Sequence, residues 1–176
     1  FRPGDIIRTR QGLSVEIHNT DAEGRLVLSD LLTLACESKP DLIMDFATLT
    51  GAARIALGPD LPVLYSNRDA LADAYHDAGL AQHDPIWRLP LWQPYLSYLK
   101  SNVADLSNAS TSTHAGSITA GLFLQCFVKS EIDWMHLDVY SWNDSDRPGK
   151  PAGGEAQGLR SAFAFLKTKY DHRHSF

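Results

Sequence analysis

One run of ten residues, DLIMDFATLT (41–50), is nearly continuously apolar and passes straight into the helix-like GAARIALG (51–58). A strand that is apolar at successive positions offers no side to water. It must be covered on both faces, which in practice means helices packed on a mostly parallel sheet. The same alternation recurs along the chain. LSVEIHN (13–19) reads as a strand and GRLVLSDLLTLACES (24–38) as a helix, apolar at Val27, Leu31, Leu34 and Ala35 with Leu28 and Leu32 as a second stripe. That pattern predicts a helix buried over most of its circumference, with Pro40 placed beyond its end where it does not interrupt it. LPVLYS (61–66) is a further strand and RDALADAYHDAGLA (68–81) an amphipathic helix. After a long excursion the pattern resumes with a helix over 116–130, a strand in WMHLDVY (134–140), a Gly/Pro loop (143–154) and a last helix over 155–168. The expected fold class is α/β, a mostly parallel sheet flanked by helices, with strands at 13–19, 41–47, 61–65 and 134–139. In such sheets ligands bind at the carboxyl ends of the strands.

The excursion, residues 83–116, carries three prolines, Trp87 and Trp92, and a Ser/Thr/Asn-rich tail, and only 92–100 looks helical within it. Long loops in compact domains usually serve function or contacts, so the aromatic cluster of Trp87, Trp92, Tyr95 and Tyr98 is read as an interface anchor. A net charge of −5 over 176 residues leaves no basic stripe to neutralise phosphates, so a nucleic-acid partner is not expected. Cys36 and Cys126 are isolated in apolar runs and are expected to be buried free thiols of a reducing, cytoplasmic setting. No apolar run approaches the roughly 20 residues that span a bilayer, so no membrane partner is expected. The opening FRPGD carries no signal-peptide pattern and suggests a fragment of a longer chain.

Chemistry concentrates at EIHNTDAEGRL (16–26), where Asp21, Glu23 and Arg25 stand at successive odd positions between a strand and an apolar helix. Crowded like charges repel, and a helix mouth offers one plain relief: Asp21 as N-cap and Glu23 in the first turn, favoured by the macrodipole. The other relief is a cation. Carboxylates at such a mouth suit hard or borderline divalent metals, which take oxygen ligands at about 2.0–2.2 Å. Arg25 ligates no metal, but with the free N–H groups of the helix start it is suited to an anion. The histidines add little: His18 and His136 are read as structural strand residues, and His172 and His174 as an exposed terminus. The serines lack a G-x-S-x-G elbow, which argues against a serine hydrolase. A glycosidase wants its two carboxyls roughly 5–10 Å apart across a bond, which a D-x-E pair does not readily supply.

NTDAEGRL (19–26) resembles, without a gap, the signature octapeptide of the leucine aminopeptidase (cytosol aminopeptidase) family. DFATLTGAARIALG, WRLPLW, GSITAGLFL and WMHLD follow in family order, so the likeness covers nearly the whole chain. The resemblance implies residues 1–176 as part of a catalytic domain whose upstream part and N-terminal domain lie outside this sequence. It implies a cytoplasmic hexamer that uses two divalent ions, zinc or manganese, to hydrolyse the first peptide bond of substrates with a free amino terminus. By the same resemblance Asp21 and Glu23 are metal ligands, with Glu23 bridging both ions, and Arg25 is the catalytic arginine that holds a bicarbonate. Thr48, Leu49 and Gly51 run along the substrate, although Thr50 also reads as a simple helix cap. The family's remaining ligands, a lysine and two aspartates, and a second catalytic lysine are expected upstream; Lys39, Lys100 and Lys129 lie in the wrong blocks. VYSWN (139–143) stands where relatives carry a small Ile-Ala-Gly stretch, making Tyr140 and Asn143 substrate-binding candidates larger or more polar than usual. The alternative is a catalytically silent binding or assembly protein on the same scaffold.

Overall fold

The computed structural model describes residues 1–171, so His172 and His174 lie outside the described residues. In chain order it runs β1 (Ile6–Arg8), β2 (Ser14–Glu16), α1 (Gly24–Glu37), β3 (Leu42–Ala47), α2 (Gly51–Leu57), β4 (Val63–Ser66) and α3 (Asp69–Ala81). Then come β5 (Trp87–Arg88), a 3₁₀ helix (Gln93–Leu99), β6 (Leu106–Ser107), α4 (Gly116–Gln125), β7 (Asp133–Asp138), β8 (Trp142–Asn143), β9 (Gly153–Gly154) and α5 (Leu159–Tyr170). The class is α/β. The larger sheet has the order β3-β7-β4-β5, parallel at β3–β7 and β4–β5 and antiparallel at β7–β4. A smaller sheet, β1-β2-β6, pairs β2 parallel to β6, and β8–β9 form a two-stranded ribbon.

β7 is covered on both faces, whereas β3, at the sheet edge, leaves Phe46 43 % exposed, so the expected full cover of 41–47 is not met among the described residues. Alternate residues of β7 serve opposite faces. Met135 and Leu137 pack with Leu71, Tyr75 and Phe165 of α3 and α5. Trp134 belongs instead to the core that joins Leu32 and Cys36 of α1, Leu122 and Phe123 of α4, and Val15 and Leu106 of the smaller sheet. α4 is apolar all round and is buried accordingly. It approaches β4 closely: a Cβ on Gly121 would stand 3.1 Å from the Tyr65 ring.

The face beneath α4 also carries polar groups; most are partnered, while His136 Nε2 is buried without a hydrogen bond among the described residues. Asp45 on β3 accepts from Trp134 Nε1 at 2.8 Å and pairs with His136 Nδ1 across the β3–β7 register. Tyr65 donates to Ser117 Oγ at 2.8 Å, and burial pushes its phenol well above the ordinary value. His136 is thus a hydrogen-bonded core residue, as its place in a strand suggests.

Several expectations need correction. α1 is not covered round most of its circumference: Arg25, Ser29, Leu32 and Cys36 are buried, while Val27, Leu31 and Leu34 are 60, 52 and 46 % exposed. Its second stripe and Ala35 pack against the core. The helix expected over 116–130 stops at Gln125, where the chain tightens into i→i+3 turns from Phe127 to Leu124 and Val128 to Gln125. The last helix opens at Leu159 rather than 155, because Gly158 is left-handed (φ +79°) and residues 155 and 157 are engaged elsewhere. A side chain at 158 would also meet Leu137 Cδ2 at 2.7 Å. Residues 93–99 form a 3₁₀ helix with a proline in its first turn. The four aromatics of the excursion divide: Tyr95 and Tyr98 stack at 5.1 Å, whereas Trp87 stands edge-on to His76 and Trp92 is exposed. Cys36 is buried and Cys126 only partly so, both as free thiols.

Candidate functional site

Residues 17–23 leave β2 and turn into α1 without the expected cap. The Asn19 side chain accepts the Asp21 N–H at 2.9 Å, so an Asx turn shapes the approach. Glu23, not Asp21, occupies the cap position, in helical conformation, and makes no side-chain capping bond. Both carboxylates stay exposed. The simplest reason for their position, satisfying the orphan N–H groups of α1, is therefore absent.

Arg25 behaves in the opposite way. It is buried, its Nη1 donates to the Asn108 carbonyl at 2.9 Å, and its guanidinium lies 5.9 Å from the centre of the Phe123 ring. Its Nε is buried without a hydrogen bond from the described residues. Burial pulls its pKa down to about 10, opposed by the charge of Asp138, so at neutral pH it remains cationic. A desolvated cation with an open donor is a demand for an anion.

The opposite wall is the turn after β3. Asp138, at the end of β7 and 3 % exposed, accepts from the backbone N–H of Leu49 (2.9 Å) and of Thr50 (3.1 Å) and from Thr50 Oγ1 (2.6 Å). Thr50 in turn caps α2 by accepting from the Ala53 N–H at 3.1 Å. The cap reading of Thr50 and the placing of a loop are thus the same interaction. Asp21, Glu23, Arg25, Thr48 and Leu49 together line one cleft of about 170 Å³. A larger cavity, about 640 Å³ between α3 and α5, is walled by Leu71, Ala74, Ala78 and Phe165, and its Arg68 is already paired with Asp133. The small cleft holds the unpaired charges, so chemistry rather than volume selects it.

The other candidates fall outside that cleft. Gly51 opens α2 just beyond the clamped turn. Tyr140 follows β7 with its ring under the Arg54 guanidinium at 4.8 Å and its hydroxyl on Asp144. Asn143 is buried in the β8–β9 ribbon: its amide donates to Glu155 (2.6 Å) and to the Pro151 carbonyl (3.1 Å), and its oxygen accepts from Arg147. It lines a separate cleft of about 140 Å³ with Asp60 and Arg147. His18 is structural, bonded to Ser107 Oγ and Glu16. Sequence reasoning missed Asn108 and the role of Asp138. Asn108 is hidden among loop-like polar residues, and only the β2–β6 pairing brings it to the site.

The ribbon supplies a pH expectation. A hydrogen bond from Arg147 holds the Asp60 carboxyl below its ordinary 3.8, and one from Asn143 holds Glu155 below 4.5. Depressed values mean that the ordering is in force above those ordinary values and is lost as pH falls below them. Acidification below about pH 4 should loosen residues 141–155 before the sheet melts. The Trp142 indole NMR resonance should broaden or shift in that range; an unchanged resonance down to pH 3 would refute it.

The sequence profile of the cytosol aminopeptidase family, catalytic domain, matches residues 1–163. The chain belongs to the cytosol aminopeptidase family. The probable cytosol aminopeptidase of Roseiflexus castenholzii is 48% identical over 170 residues, 95% of this chain and 34% of that protein. That of Syntrophobacter fumaroxidans is 47% identical over 163 residues, 92% of this chain and 32% of that protein. The crystal structure of the cytosol aminopeptidase from Coxiella burnetii is 58% identical with a TM-score of 0.94, covering 97% of this chain and 37% of that one. The bottromycin maturation enzyme BotP in complex with Mn is 38% identical with a TM-score of 0.90, covering 96% and 38%. The chain thus spans about a third of the length of these cytosol aminopeptidases.

Proposed function

We propose that this chain is part of the catalytic domain of a two-metal aminopeptidase that removes the amino-terminal residue from peptides. The observation that carries this reading is the opposition of charges in one cleft: two exposed carboxylates that cap nothing, beside a buried guanidinium with an open Nε. Divalent cations compensate the first and an anion the second. The donor set fits zinc or manganese, since carboxylate oxygens suit both. It is a partial set, because among the described residues no group of three His, Cys, Asp or Glu side chains converges as a metal site. The missing ligands are therefore assigned to the rest of the complete protein.

When bound, the metals supply Lewis-acid activation of water and of the scissile carbonyl. Asp21 and Glu23 would hold them. Arg25 would hold a bicarbonate, and that anion would supply a proton acceptor. Thr48, Leu49 and Gly51 present backbone groups along the substrate from a turn that Asp138 fixes. Tyr140 and Asn143 shape the side-chain pocket, Asn143 by holding the ribbon rather than by offering a free amide. A cytoplasmic homo-oligomer, a hexamer, and no membrane or nucleic-acid partner complete the proposal. Among the described residues no helix is long and apolar enough to cross a membrane.

The test is calorimetry with zinc and manganese beside an aminoacyl-amide assay on the complete protein; an enzyme active without metal would refute the reading. Arg25→Ala should keep metal affinity and lower kcat by about 100-fold, the scale of losing a general-base or charge-stabilising group. Unchanged kcat with weakened metal binding would assign Arg25 elsewhere.

A further inference from the structure

Asn108 is fully buried, and every polar atom it has is engaged at the site. Its backbone N–H donates to the Glu16 carbonyl at 2.9 Å, extending the β2–β6 pairing by one residue. Its Oδ1 accepts from the N–H groups of His18 (2.9 Å) and Asn19 (3.2 Å), and its Nδ2 donates to the carbonyls of Asn19 (2.6 Å) and Ala22 (3.4 Å). Its own carbonyl accepts from Arg25 Nη1. One residue, some ninety positions away in sequence, thus brackets Asp21 and Glu23 from both sides and also holds the cation beyond them.

We propose that Asn108 is a positioning residue of this site, resting on the aminopeptidase reading above. Its carboxamide fixes the backbone that carries the two carboxylates. Its carbonyl takes Nη1 of Arg25 and so fixes where that guanidinium sits beside them. A site needs such support because Asp21 and Glu23 are exposed on a turn between elements, and they make no side-chain bonds that would orient them. No other residue type offers this set. The clamp needs an acceptor and a two-hydrogen donor on one short planar group, so aspartate fails at Nδ2 and serine at reach.

The experiment uses the complete protein as wild type, Asn108→Ala, Asn108→Asp and, as control, Asn67→Ala. Asn67 also bonds backbone, at Ile132 and Trp134, but near the start of β7, away from the cleft. Amide exchange at residues 18–25, manganese affinity by calorimetry, melting temperature, and kcat and KM on an aminoacyl amide are read for each. Losses of support behind a metal ligand run to about 10–100-fold in affinity or activity, and that range is expected for both Asn108 variants, in kcat more than in KM. Exchange at 18 and 19 should accelerate with them. Asn67→Ala should lower the melting temperature to a similar degree while leaving manganese affinity and kcat within about two-fold. Asn108→Asp has the same shape, so it carries the test if Asn108→Ala fails to fold. The proposal is overturned if the Asn108 variants bind manganese and turn over like wild type, or if Asn67→Ala weakens both equally. A wild type that binds no manganese refutes the aminopeptidase reading instead, and the exchange arm still reports the clamp by itself.

Discussion

Asp21→Asn or Glu23→Gln in the complete protein is expected to abolish metal-dependent removal of an amino-terminal residue while leaving the fold standing. Each change keeps shape and removes one negative charge from a pair that no ion pair among the described residues neutralises. Neither carboxylate caps α1, so no hydrogen bond of the fold is lost with it. An amide oxygen is a much weaker ligand for a divalent ion than a carboxylate, so the bound state loses both charge and a ligand. Stability without metal should stay within about 0.5 kcal/mol of wild type, with a small gain where like-charge repulsion is relieved. Glu23→Gln is expected to be the more damaging if Glu23 spans both ions. Calorimetry with manganese, an aminoacyl-amide assay and thermal unfolding of the three proteins decide the matter. A variant that retains wild-type turnover at saturating metal would remove that residue from the ligand set.

Asp84→Ala is expected to produce the largest loss of stability of any exchange of one residue discussed for this chain. α5 opens at Gly158, which has no side chain to cap it. The cap comes instead from Asp84, 7 % exposed, in the loop between α3 and β5. Its Oδ1 accepts from the Gly158 N–H at 3.0 Å and its Oδ2 from the N–H groups of Arg160 (2.9 Å) and Ser161 (3.1 Å). Removing it strands three backbone donors, two of them at the buried Gly158 and Ser161, while the Ser161 hydroxyl keeps the Gly158 carbonyl at 2.9 Å. At about 1 kcal/mol for each stranded donor, the sum is about 3 kcal/mol, a large share of a typical domain's stability. Asp84→Asn, which keeps the acceptor but not the charge, should lose about half of that. Urea unfolding of the complete protein measures both. A loss below about 1 kcal/mol for Asp84→Ala would show that water replaces the cap.

How much of this was legible before the structure depends on sequence distance. β3 announced itself because it is apolar at nearly every position, and α1 because Val27, Leu31, Leu34 and Ala35, with Leu28 and Leu32, recur at helical spacing. Asp21, Glu23 and Arg25 could be picked out because they are consecutive odd positions of one turn. Thr48 and Leu49 entered only through family resemblance, and the structure brings them to the same cleft because Asp138 draws the turn after β3 inward. β5 and β6 are two residues each, too short for any periodicity to register. The work of Asn108 and Asp84 is done across 83 to 90 and 74 to 77 positions, beyond any local pattern. α1 misled for a different reason. Apolar spacing says which residues want cover, and in Val27, Leu31 and Leu34 that demand is unmet within the described residues.

The antiparallel run of β4 places Val63 opposite Asp138, so the approach to β4 emerges at the same rim as the ends of β3 and β7. Pro59 and Asp60 of that approach hold the ribbon through Gln157 and Arg147, while the cleft's own walls are tied to Asp138 and Asn108. Two neighbouring parts of one mouth therefore hang from separate anchors. On the proposed reading, residues 140–155 could vary without moving Asp21, Glu23 and Arg25, so duplicated copies of such a gene would be free to diverge in what they accept while inheriting an unchanged reaction.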